Sequence, residues 1–346
     1  MKRYATLKDV AGLAGTTAAT VSYVLNEKEG RYISDETRKK VLEAAEKLDY
    51  IKCNGASSLK GKERKLIAIL VPQFANQFFT RIIVASEEVF VNQGYDLVIC
   101  NTFDNPRREK EILRRMLQQR VDGIVLTPTS EGLENTATVR RLGVKMVVVD
   151  RPLEGGDDYC WVTTDNYGCG FKGASYLFEK GHRNIAYIGW ESDIPDLNKR
   201  GQAVLDAAKK MRIPRKNIVV KNGGFSFEEG YRLTAELLNE HPETSAIFYG
   251  FNIQALGGIK CLHDRKIKIP QRISVALIGS PEWVMAGNNN FTHLDMGEYE
   301  LGKEAAQLLL GLIQNPGEKK VKRTIRDCTL VEGDSVCVKK FERSRV

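Results

Sequence analysis

Residues 6–26 read Thr6-Leu7-Lys8-Asp9-Val10-Ala11-Gly12-Leu13-Ala14-Gly15-Thr16-Thr17-Ala18-Ala19-Thr20-Val21-Ser22-Tyr23-Val24-Leu25-Asn26. Leu7, Val10, Ala11 and Ala14 fall at i, i+3, i+4 and i+7, which is one face of a short helix. Thr6 is suited to cap its N-terminus, and Asp9 favours the positive end of the helix dipole. Gly15 can supply a tight turn. Thr17 then caps a second helix over 18–25, with Val21, Val24 and Leu25 facing inward. Ser34 caps a third helix, with Val41, Leu42, Ala45 and Leu48 inward. Three short helices with a brief turn between the first two describe a helix-turn-helix unit, expected over residues 1–50.

The outer face of the second helix suggests what the unit meets. Ala18, Ala19 and Tyr23 are expected to point away from the Val21/Val24 face. They are small or flat, so the helix can enter a major groove about 12 Å wide. Thr17, Thr20, Ser22 and Asn26 offer short donors for phosphates at the groove rim. Charge agrees with this reading. The chain of 346 residues carries a net +8, and residues 1–65 hold 14 Lys/Arg against 9 Asp/Glu. A small basic head on a near-neutral body is what a polyanion partner requires, although a solvated lysine-rich surface would look similar.

The same stretch resembles the head of the lactose/galactose repressor (LacI/GalR) family. Ser34-x-x-Thr37-Arg38-x-x-Val41 and Leu48-x-Tyr50 resemble that family's third helix and the entry to its hinge. The resemblance implies sequence-specific operator binding by a homodimer, with two heads on the half-sites of a pseudo-palindrome. It also implies a hinge at 51–65, YIKCNGASSLKGKERK including Tyr50, that folds on DNA and wedges a leucine into the minor groove. Leu59 falls at the wedge position, and Ala56 and Ser58 match as well. Three residues depart from the pattern: Lys52-Cys53 stand where the family has Pro-Asn, and Ser57 where it has Arg. Gly55 lowers helix propensity by up to ~1 kcal/mol relative to Ala. Hinge folding is therefore expected to be weaker or more dependent on the operator.

From Leu66 the pattern changes. Apolar runs at 66–71, 96–99, 123–126, 145–149, 185–189, 218–220, 246–250 and 273–279 read as buried parallel strands. The stretches between them carry helical periodicity, which makes 66–346 an α/β, doubly wound body. Eight strands exceed one comfortable sheet, so two lobes with a cleft at the carboxyl ends of the strands are expected. The body resembles the periplasmic-binding-protein-like effector domain of the same family. The matching fragments are Asn76-x-Phe78-Phe79, Val149-Asp150-Arg151, Asp165-Asn166, Gly181-His182-Arg183-x-Ile185, Leu301-Gly302 and Leu330-Val331-Glu332. The family pattern implies one lobe of about 66–164 with 294–320, and another of 165–290 with the tail.

The resemblance also implies an effector in the cleft, expected to be a sugar or sugar phosphate controlling a carbohydrate-utilisation operon. Phe78 and Phe79 should line one face and Phe225 the other, with Arg200 making bidentate bonds to the ligand. Asp150 and Asp165 should sit near the crossing, and Asn252 should line the site. Two departures bear on this ligand. Phe251-Asn252 stands where the family has Asn-Asp, and Gly279-Ser280-Pro281-Glu282 where it has Gly-Phe-Asp-Asp. An acidic acceptor is thus replaced by an amide, which both donates and accepts. A phosphorylated carrier protein docking on the outer surface is the alternative regulator.

Other classes find little support. No run approaches the ~20 apolar residues of a membrane helix, and the start carries no apolar leader, so a cytoplasmic chain is expected. The seven scattered cysteines form no C-x-x-C pair and read as reduced thiols, with no metal site. No cofactor is expected. Four separate histidines and the absence of nucleophile motifs argue against an enzyme. Gly168-x-Gly170-x-x-Gly173 imitates a dinucleotide fingerprint but does not follow a strand directly. A sugar-binding protein that never meets DNA is the remaining alternative, and the head argues against it.

Overall fold

The computed structural model describes residues 5–25, 32–50, 64–153, 155, 158–285, 290–315, 317 and 321–339. Two compact units divide the chain, Met1–Arg64 and Lys65–Val346.

The first unit contains α1 (Leu7–Ala14), α2 (Ala18–Leu25) and α3 (Asp35–Lys47). Thr6 and Asp9 form a reciprocal capping box, and Gly15 ends α1 in the left-handed region at φ 64°. Only a residue without Cβ takes that conformation at no steric cost. Val10, Val21, Val24, Val41 and Ala44 make the core. Two expectations fail at this level. Leu42 is 50% exposed, and Ala44 takes the inward position on α3. Ala18 packs against the core rather than facing out. It lies three and seven residues before Val21 and Leu25, so it shares their face.

The second unit holds two six-stranded sheets among the described residues. The first lobe starts with β1 (Leu66–Val71), α4 (Gln77–Val91), β2 (Asp96–Asn101), α5 (Pro106–Gln119), β3 (Gly123–Leu126), α6 (Gly132–Asn135), α7 (Ala137–Arg141), β4 (Lys145–Val149) and β5 (Cys160–Thr164). The second lobe follows with α8 (Asn166–Glu179), β6 (Ile185–Trp190), α9 (Pro195–Lys210), β7 (Ile218–Gly223), α10 (Phe227–Glu240), β8 (Ala246–Tyr249), α11 (Asn252–Asp264), β9 (Ser274–Ile278) and β10 (Thr292–Asp295). The chain then returns through α12 (Glu298–Gln314) and β11 (Arg323–Arg326), and ends the described part with β12 (Thr329–Val331).

The sheets have orders β11-β5-β4-β3-β1-β2 and β12-β10-β9-β8-β6-β7. All pairs are parallel except β10 with β12. Helices cover both faces of each sheet, as parallel sheets require. In the first lobe Ile82 and Leu309 pack on one face and Ile112 and Leu113 on the other. In the second lobe Leu177 and Val204 cover one face and Leu233 and Leu262 the other. Local signals start the helices: Asn76, Asn105, Asp165 and Ser226 each accept a backbone N–H as N-cap, and Pro106 and Pro195 open α5 and α9.

Three details correct the sequence reading. The strand at 292–295 belongs to the second sheet and that at 323–326 to the first. The later crossings between lobes therefore lie at 296–297 and 327–328, not at 291–293 and 321. Second, β2 and β7 are edge strands and only partly buried. Third, Gly168, Gly170 and Gly173 lie inside α8. A Cβ on Gly170 would meet the Arg200 carbonyl oxygen at 2.2 Å, and one on Gly173 the Phe248 ring at 2.2 Å. These glycines let α8 approach α9 and the sheet closely and cradle no phosphate.

Candidate functional site

The head presents α2. Thr17 Oγ1 accepts the Thr20 amide at 3.2 Å and lies 2.9 Å from Thr20 Oγ1, so the two hydroxyls fix the start of the helix. The Thr6 hydroxyl donates to Asp9 at 2.7 Å and holds the start of α1 in the same way. Ala19 is exposed, and Thr20, Ser22 and Tyr23 are half-buried. Val21 and Val24 are driven into the core, which turns Ala19, Ser22 and Tyr23 toward the other side. Asn26, Ala56 and Leu59 lie outside the described residues.

The cleft lies between the lobes, where loops leave the carboxyl ends of β1, β4, β6, β8 and β9. Asn76, Phe78, Phe79, Asp150, Arg151, Trp190, Leu197, Arg200, Phe225, Phe251, Asn252, Ile278, Gly279 and Met296 line a narrow pocket. Its walls are aromatic. Phe78 and Phe79 meet edge to face at 5.1 Å on the first lobe. On the second lobe Trp190, Phe225 and Phe251 form a mutual cluster with centroids 5.0–5.8 Å apart.

Charges are few and deeply placed. Asp150 is 4% exposed and sits in the left-handed backbone region at φ 71°. Burial raises its carboxyl from 3.8 to about 6, against the pull of Arg151 and Arg200. Arg151 Nη1 donates to Asp104 at 2.7 Å and to the Pro128 carbonyl at 3.2 Å. Arg151 Nε is buried with no hydrogen-bond partner among the described residues and lies 3.6 Å from the Asp150 carboxylate. The same guanidinium stands 5.7 Å from the Trp190 ring centroid across the cleft.

The structure brings six of the seven expected cleft residues together: Phe78, Phe79, Asp150, Arg200, Phe225 and Asn252. Asp165 is not among them. It caps α8, accepting the Gly168 amide at 2.8 Å. Arg200 is at the wall but is already engaged. Its Nε donates to Asn166 Oδ1 at 2.8 Å, its Nη1 to the Gly250 carbonyl at 2.7 Å, and its Nη2 reaches Met296 Sδ at 3.5 Å. Two of its five N–H groups, one on each Nη, lie beyond these bonds. Sequence reasoning missed Arg151, Trp190, Phe251 and Met296. Arg151 was legible in the Val149-Asp150-Arg151 fragment, but the ring cluster comes from the end of β6 and two separate loops and has no sequence spacing.

Other polar clusters are structural. His182 is buried between Ser245 Oγ at 2.9 Å and the Cys337 carbonyl at 3.1 Å, and burial lowers its imidazole to about 4. Cys100, Cys160, Cys169, Cys261, Cys328 and Cys337 are free thiols. Among the described residues no cluster of His, Cys, Asp or Glu could hold a metal, and no helix is long and apolar enough to cross a membrane.

With a helix-turn-helix head and a two-lobed α/β cleft, the molecule has the build of a ligand-responsive DNA-binding regulator. Comparison with known proteins agrees. Residues 6–52 match the family of bacterial regulatory proteins called the lacI family, and residues 174–336 match a periplasmic binding protein-like domain. An HTH-type transcriptional repressor PurR of Histophilus somni is 30% identical over 319 residues, spanning 91% of this chain and 94% of that protein. A lacI-family transcriptional regulator of Silicibacter pomeroyi superposes with TM-score 0.83 at 23% identity, covering 97% of this chain and 100% of that one. The lac repressor dimer bound to operator and an anti-inducer superposes with TM-score 0.81 at 22% identity, with the same coverage. The chain belongs to the lacI family. It is a DNA-binding transcriptional repressor and not an enzyme.

Proposed function

We propose that this repressor binds as a homodimer to a pseudo-palindromic operator and is controlled by a small planar heterocycle, purine-like in size, held in the inter-lobe cleft. In the head, α2 lies in the major groove, where Ala19 and Tyr23 face base edges. Thr6, Thr17, Thr20 and Ser22 serve the flanking phosphates. Ala18 supports the helix from the core side. Asn26, Ala56 and Leu59 keep their sequence-based roles in this reading, as rim donor and hinge contacts. Converting Tyr23 to Arg introduces a bidentate donor for guanine, so binding-site selection should return an operator motif with one new guanine per half-site. An unchanged motif would remove α2 from the readout.

For the effector, one observation carries most weight. Rings of Phe79, Trp190, Phe225 and Phe251 line the cleft beside an ion pair, the Asp150 carboxylate and Arg151 Nε, the latter with no hydrogen-bond partner among the described residues. An acceptor beside a donor matches one edge of a flat heterocycle whose faces lie on aromatic rings. A polyhydroxylated sugar needs many more partners, and Asn252 Nδ2, Asn76 Oδ1 and the Nε and Nη1 of Arg200 already bond to protein. The name of the curated relative, PurR, points the same way. Calorimetric titration with purine bases and nucleosides beside hexoses, pentoses and their phosphates tests this. Binding by the heterocycles supports it. Binding by a sugar phosphate alone would restore the carbohydrate reading. A response of operator affinity only to a phosphorylated carrier protein would move control to the outer surface.

A further inference from the structure

The two positions where the cleft departs from the family pattern meet the opposite lobe. Asn252 Nδ2, at the start of α11, donates to Asn76 Oδ1 at 3.1 Å. Asn76 Oδ1 also accepts the Phe78 amide at 3.1 Å as the cap of α4. That second bond fixes which end of the Asn76 amide faces the second lobe, because only oxygen can accept a backbone N–H. Position 252 must therefore supply a donor. One step along the rim, Gln77 Oε1 accepts the Glu282 amide at 2.7 Å. One turn further, Arg81 Nη1 donates to Ser280 Oγ at 3.2 Å, and Ser280 Oγ donates to Glu298 Oε2 at 3.2 Å. Glu298 is itself buried at the head of α12 in the first lobe. Apart from the Asn76 cap bond, these contacts join the N-terminal end of α4, or α12, to the start of α11 and the loop after β9.

We infer that Asn76–Asn252, Gln77–Glu282 and Arg81–Ser280–Glu298 form a directional latch that holds the cleft closed, with Asn252 as its obligatory donor. The latch explains why an amide stands at 252 where the family pattern has an acid, and a serine at 280 where it has a phenylalanine. A carboxylate at 252 would put acceptor against acceptor, and it would meet the Asn76 oxygen with no proton to share. A hydroxyl at 280 accepts from Arg81 and donates to Glu298, which a phenyl ring cannot do. A closed lobe pair bound by its own rim contributes to the two-state balance that any cleft ligand must shift. The inference deepens the effector-cleft reading by naming what regulates that cleft, but it stands on contacts that need no ligand.

Amide hydrogen exchange of the full chain without effector tests it, read over residues 76–80 and 280–285. Asn252→Asp should exchange the 280–285 segment about tenfold faster, as expected for loss of roughly one net hydrogen bond. Asn76→Asp keeps an oxygen for both donors and should exchange at the wild-type rate. At the exposed end, Gln77→Leu should exchange faster and Gln77→Glu should not. Wild-type rates in both Asn252→Asp and Gln77→Leu would overturn the latch, as would equal acceleration by Asn76→Asp and Asn252→Asp. Because no effector is added, these outcomes are separate from those of the ligand titration.

Discussion

Asp150→Asn should make the effector unit more stable at pH 7, by up to about 3 kcal/mol. The Asp150 carboxyl is raised by burial from 3.8 to about 6. The folded chain therefore holds this proton more tightly than the unfolded chain. The group's contribution is fully present below about pH 3.8 and is lost as pH rises through about 6. At neutral pH the wild type carries a buried charge that only partly recovers its solvation from Arg151 and Arg200. Asparagine keeps the shape, tolerates the left-handed backbone at φ 71°, and removes the charge. Urea denaturation at pH 4.5 and 7 should show the wild type losing stability across that interval and the variant losing less. Glu109 and Glu298 are also raised by burial, so some of the slope will remain in both proteins. A variant less stable than wild type at pH 7 would mean that the Arg151 pairing outweighs desolvation. The stabilised variant should also bind the effector more weakly, since the same carboxylate is the acceptor proposed for the ligand. A destabilising group kept in a cleft is the usual exchange of stability for function.

The second large effect runs the other way. Arg200→Met should destabilise the effector unit by roughly 2–5 kcal/mol, because two buried oxygens lose their donors. These are Asn166 Oδ1 and the Gly250 carbonyl. The guanidinium also stands 4.5 Å from the Phe251 ring centroid, so a wall of the cleft loses support with it. Methionine fills most of the volume, which separates the lost hydrogen bonds from a cavity effect. Scanning calorimetry of the full chain should show a lower midpoint for the effector unit. A change within about 0.5 kcal/mol, the scatter of ordinary surface substitutions, would show that Arg200 is a ligand group with spare bonds. Asn166 and Gly250 belong to α8 and the loop after β8, so Arg200 ties two parts of the cleft wall together.

Both expectations rest on contacts that local sequence reads only in part. The head is legible almost residue by residue. Periodicity and capping act within a few positions, so Thr6, Gly15, Thr17 and Ser34 announce their helices. The errors there, Leu42 and Ala18, lie at the border of an apolar face, where a rotation of one residue changes burial. The α/β alternation is equally plain, since buried parallel strands are continuous apolar runs. The four strands that apolar runs do not reveal, at 160–164, 292–295, 323–326 and 329–331, are short or mix polar residues. β11 and β12 lie at sheet edges with one neighbour each, and β5 and β10 adjoin the crossings between lobes.

Short-range periodicity and caps are thus enough to specify the helix-turn-helix head, the doubly wound body and the existence of a cleft, and the resemblance of residues 6–26 points to the family. The folded packing was needed to make Asp165 a cap, to bond Arg200 within the protein, and to gather Trp190, Phe225 and Phe251 into one wall. It also brought Asn252 against Asn76, 176 positions away in the chain. The physical reason is that hydrogen-bond partners and ring contacts across a cleft are set by which loops the two sheets bring together. That arrangement depends on the packing of whole lobes and leaves no mark at fixed spacing along the chain.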